Sequence, residues 1–190
     1  MKLFKLNKKK IARGFTLIEV LLVVGFIALA SIGVYVVYNK VQTGNAANTE
    51  ARNIDALRAG VKNIYGGSTS YNGLNNTVAL QARIVPDNMR SAAAGATDIT
   101  NSFGGRVTVA STSFGTGAAP NNAFTIQYEG VPIDVCAKLA TSAGAGFNRV
   151  QVNGTQVKST ITATGNELNV AATAGACSLD AGNILIFTSL

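Results

Sequence analysis

The chain has 190 residues, enough for one compact domain with a real core, and 47% of them are hydrophobic. Its net charge of +7 is local: Lys2, Lys5, Lys8, Lys9, Lys10 and Arg13 precede Gly14 with no opposing acid, and the remainder carries ten Lys and Arg against nine Asp and Glu. That near-balance removes the compositional argument for nucleic-acid binding, and the absence of any His leaves the two cysteines unable to complete a common four-ligand zinc site.

In chain order, the basic segment comes first and is expected on the cytoplasmic side of a membrane. Gly14 follows, then an almost continuously apolar run over 15–38 in which Glu19 is the one charge. Val20–Tyr38 is uncharged for nineteen residues. As a helix it would span about 28 Å, close to the roughly 30 Å of bilayer hydrocarbon. A cleaved secretory signal fits poorly, because the run is longer than an ordinary apolar core. No small-x-small site closes it before Tyr38-Asn39-Lys40. A plain membrane anchor accounts for the length and leaves Glu19 without a purpose, unless that side chain merely reaches for the interface.

The string G-F-T-L-I-E from Gly14 to Glu19, set between a basic leader and an apolar helix, resembles the processing motif of type IV prepilins and the related pseudopilins. The resemblance implies that a prepilin peptidase cuts after Gly14 and that Phe15 becomes an N-methylated first residue. It implies that Glu19 neutralises the new amine of a neighbouring subunit during filament assembly. A carboxylate in an apolar setting is costly when unpaired, which would make that pairing a register device for stacked helices. Gly25, Gly33, Ala28, Ala30 and Ser31 would let such helices approach closely. Type IVa pilins carry a proline in this stretch where Val36 stands here.

The helix is predicted to continue beyond the membrane. Ile54, Leu57, Val61 and Ile64 recur on one face, with Glu50, Arg52, Asp55, Arg58 and Lys62 largely elsewhere, until Gly66-Gly67-Ser68 stops it. Gly44 is a candidate bend. The expected division is therefore a leader at 1–14, a long helix over 15–66 and a head over 67–190.

In the head, V-A-L-Q-A-R-I at 78–84 suggests a short helix ended by Pro86-Asp87. Strands are expected at Arg106–Ser111 and Ala123–Tyr128, and a helix over 132–141 with Pro132 in its first turn. Asn153-Gly154 between alternating residues signals a type I′ hairpin over 150–157, and I-L-I-F at 184–187 is apolar enough for a sheet centre. Together these predict an α+β fold, a mostly antiparallel sheet against the outer half of the long helix. Cys136 and Cys177, in no C-x-x-C arrangement, suit a single extracytoplasmic disulfide. Closing that loop would contribute on the order of 4 kcal/mol.

The stretch from Ala123 to Leu139, a strand ending in glycine and then a helix with Cys136, is similar to type IVb pilins, the toxin-coregulated-pilus and PilS-like group. Ser31 and Gly33 also resemble that group, whereas the fourteen-residue leader and Phe15 are more like type IVa. Membership implies a homo-oligomeric helical filament. It also implies an assembly platform and an outer-membrane secretin as partners, and a route from the bacterial inner membrane to a cell-surface pilus serving adhesion, aggregation or cell contact.

No enzyme is expected and no cofactor. Without His there is no Ser-His or Cys-His pair, no P-loop motif occurs, and Gly115-Thr116-Gly117 and Gly144-Ala145-Gly146 each lack the third glycine of a dinucleotide fingerprint. Asp87, Asp98, Asp134 and Asp180 are too scattered for a carboxylate pair or calcium site. A secretion-system pseudopilin and a non-polymerising membrane-anchored adhesin are the alternatives to a major pilin.

Overall fold

The computed structural model describes residues 14–91, 97–161 and 165–190; of the leader expected at 1–14, residues 1–13 lie outside the described residues. Two compact units result, with a division between Val41 and Gln42.

The first unit is the front of helix α1 (Leu17–Ile64). Thr16 starts the helix. Its hydroxyl accepts from the Glu19 N–H at 3.3 Å, and its carbonyl accepts from Glu19 at 3.1 Å and Val20 at 3.2 Å. Leu17–Tyr35 has a mean hydropathy of 2.6 and is long and apolar enough to cross a membrane.

The second unit holds the rest of α1 and the head. Ala47, Ala51, Ile54, Leu57 and Val61 are buried in one core with the sheet, at the helical spacing the sequence shows. Ile64 departs from that expectation and is 44% exposed, because the helix ends there and the chain turns away through Tyr65–Gly67.

Six antiparallel strands form one sheet: β1 (Ile99–Thr100), β2 (Arg106–Thr112), β3 (Ala123–Val131), β4 (Arg149–Val152), β5 (Thr155–Ser159) and β6 (Asn183–Ser189), in the spatial order β1-β2-β3-β6-β4-β5. The I-L-I-F segment lies at the sheet centre as expected. Side chains alternate on β3, where Phe124, Ile126 and Tyr128 enter the core while Thr125 and Gln127 face outward. The β4–β5 hairpin turns at Asn153 and Gly154, whose φ values of 48° and 80° are those a type I′ turn demands.

Three shorter helices complete the head. Helix α2 (Asn76–Gln81) is capped by Asn75, whose side chain accepts from the Val78 N–H. It begins two residues earlier than the apolar pattern suggests, because that cap and not the apolar run sets the start. Helix α3 (Ile133–Gly144) starts after Pro132, one residue later than expected, and ends three residues later. Helix α4 (Val170–Ala176), unforeseen, is capped by Asn169. A disulfide joins Cys136 on α3 to Cys177 just after α4, with Cα atoms 5.8 Å apart.

Candidate functional site

At the front of α1, Phe15, Glu19, Val20, Val23 and Val24 line one largely apolar surface, with Glu19 in the first turn of the helix and four residues after Phe15. Phe15 is 83% exposed, and Ile18, Leu22, Phe26, Leu29 and Val34 are all exposed as well. Among the described residues nothing covers this surface. Ser31 donates its hydroxyl to the Ile27 carbonyl at 2.8 Å, so its one polar side chain group is already satisfied in an apolar medium. A Cβ at Gly25 or Gly33 would meet nothing within 4 Å, so these glycines answer no packing need inside the chain.

Thr16 escaped the sequence reading although its signal was present. Thr16-Leu17-Ile18-Glu19 is a T-x-x-E run, the signature of a capped helix start. The cap pins the backbone at Glu19, and the acid in the first turn is favoured by the helix dipole.

Glu50 is the larger surprise. It was placed among the polar residues off the core face, yet it is 0% exposed. Its carboxylate accepts from the Ser102 N–H at 2.8 Å, the Tyr128 hydroxyl at 3.1 Å, the Asn53 side-chain amide at 3.2 Å and the Ser102 hydroxyl. All four donors are neutral. The carboxylate is stabilised by hydrogen bonds in place of a counter-ion. Tyr128 is pushed well above the usual phenol range, by burial first and then by the charge and hydrogen bond of Glu50. The pair ties the middle of α1 to the β1–β2 turn and to β3.

Among the described residues no group of three or more acids, cysteines or histidines is placed to hold a metal. The molecule offers a bare apolar helix front with one carboxylate, and a cross-linked head built on a six-stranded antiparallel sheet. That combination defines a pilin.

Solved structures share this fold. The type IVb pilin from Salmonella typhi matches with a TM-score of 0.56 and 24% identity, over 74% of this chain and 97% of that one. TcpA, a type IV pilin from Vibrio cholerae El Tor, matches with a TM-score of 0.60 and 16% identity, over 77% and 99%. The family model described as PilS N terminal matches residues 44–190. The major structural subunits of the bundle-forming pilus from Escherichia coli O127:H6 (strain E2348/69 / EPEC) and O111:H- are each 30% identical, over 88% of this chain and 84% of theirs. The chain belongs to the PilS family of pilins.

Proposed function

We propose that this chain is the major structural subunit of a type IV pilus, polymerised through the front of α1 into a cell-surface filament. The observation that carries the reading is the apolar helix front, uncovered among the described residues, with Glu19 in its first turn. In a bilayer this surface is covered by lipid; in a filament it is covered by copies of itself. Gly25, Gly33 and the self-satisfied Ser31 suit close helix packing in either setting. The printed names of the relatives, major subunits of a bundle-forming pilus, support the same assignment.

A prepilin peptidase removes residues 1–14, exposing an ammonium on Phe15 that is then methylated. The subunit waits in the inner membrane and is lifted by an assembly platform into a filament that leaves through an outer-membrane secretin. Glu19 of one subunit pairs with the amine of the next. With water excluded the attraction is strong, and a misaligned helix would leave both charges unpaired. The chain itself performs no catalytic step.

N-terminal mass spectrometry on filaments sheared from the cell surface tests this. The expected subunit begins at Phe15 and carries an added methyl group. A filament subunit beginning at Met1, or no filaments at all, would refute it.

A further inference from the structure

The five tyrosines of the chain divide into two sets. Tyr65, Tyr71 and Tyr128 lie in or against the core of the head. Tyr35 and Tyr38 lie on the front of α1, outside that core, and are 67% and 59% exposed. With Ile27, Ala30, Ser31 and Val34 they line one surface that is apolar almost throughout. Three residues apart on a helix, the two rings lean to the same side.

Their distance from Glu19 matters. Tyr38 stands nineteen residues beyond Glu19, about 28 Å along the helix axis, and Tyr35 about 24 Å. The hydrocarbon of a bilayer is roughly 30 Å thick. No charged residue falls between Glu19 and Tyr38. Ser31 is the one polar side chain between Val20 and Val34, and its hydroxyl is held by the Ile27 carbonyl, so it does not resist burial in lipid. Polar groups in need of water therefore stand only at the two ends of the span. A phenol is best placed where its ring meets acyl chains and its hydroxyl meets headgroups. A carboxylate is costly in hydrocarbon and is relieved at the headgroup boundary.

We infer that Tyr35 and Tyr38 form an interfacial anchor, which holds the phospholipid boundary on the extracytoplasmic side and fixes the depth of the helix. Glu19 then stands at the opposite boundary. A slide of one turn toward the cytoplasm would draw both phenol hydroxyls into hydrocarbon, and a slide the other way would draw in Glu19. Each end opposes the displacement that the other permits. The inference rests on the membrane stage of the function proposed above, and names the residues that set the height of the waiting subunit.

The chain has no tryptophan, so a single introduced indole reports depth through quenching by bromine on lipid acyl chains. The full chain is placed in phosphatidylethanolamine and phosphatidylglycerol vesicles brominated either near the headgroup or near the chain end. Tyr35→Trp and Tyr38→Trp should each be quenched about twofold more by the shallow bromine, and Leu29→Trp more by the deep one. Val23→Trp follows the depth of the inner end. Adding Tyr35→Leu and Tyr38→Leu should raise its shallow-to-deep quenching ratio by about twofold, as the unanchored outer end sinks and the inner end moves toward its boundary. Both tyrosines lie outside the core, so these variants leave the packing of the head intact. Indoles at 35 and 38 quenched as deeply as the one at 29, or a ratio at 23 unmoved by the leucine pair, overturn the anchor. If neither bromine quenches Leu29→Trp, the helix does not enter a bilayer and the membrane stage itself falls.

Discussion

Two glutamates on one helix carry opposite burdens. Glu19 is exposed on an apolar face, whereas Glu50 is enclosed by four neutral donors. Glu19→Val should be processed normally yet give several-fold fewer filaments, counted by electron microscopy; abundant normal filaments would remove its register role. Glu50→Ala should leave Tyr128 and the Ser102 amide without an acceptor. A loss of about 2–4 kcal/mol is expected, read as a lower thermal midpoint of the full chain in detergent. The Tyr128 phenol has a folded-state value raised above 10.0. Its contribution to stability is therefore complete below about pH 10 and is lost as pH rises through the folded value. Tyr128→Phe should shrink that alkaline loss in a pH-stepped melt.

At the scale of elements, the disulfide decides whether α3 and α4 stay together. Thr173 and Ala172 bond back to Asn169, and a seven-residue helix has little stability of its own. Cys136→Ser should lower head stability by about 3–4 kcal/mol in the chain-entropy picture and reduce subunit levels. An unchanged thermal midpoint in non-reducing buffer would count against that role. Elements with strong local signals were legible in the sequence. The Asn153-Gly154 hairpin, the strands at Arg106 and Ala123 and the apolar final strand all formed where turn chemistry and alternation put them. Helix α4 was not legible, since V-A-A-T-A-G-A has no amphipathic contrast and its start depends on the Asn169 cap. Strand β1 is two residues long, too short for any period to show.

For the whole molecule, the function proposed above makes removal of residues 1–14 the first step. Gly14→Arg should leave the leader attached and abolish filaments, with the retained mass of residues 1–14 visible in the membrane-bound subunit. The sequence by itself determined the helix front and its single acid, because these depend on composition and spacing along one continuous segment. It also determined that the outer half of α1 would bury Ile54, Leu57 and Val61. Only the tertiary structure decided the strand order β1-β2-β3-β6-β4-β5 and the burial of Glu50. Each of these needs groups brought together from distant parts of the chain: Glu50 is enclosed by Ser102 and Tyr128, 52 and 78 positions away. Local periodicity reports which side chains are apolar. Whether a charged one can be buried depends on donors that only the finished fold supplies.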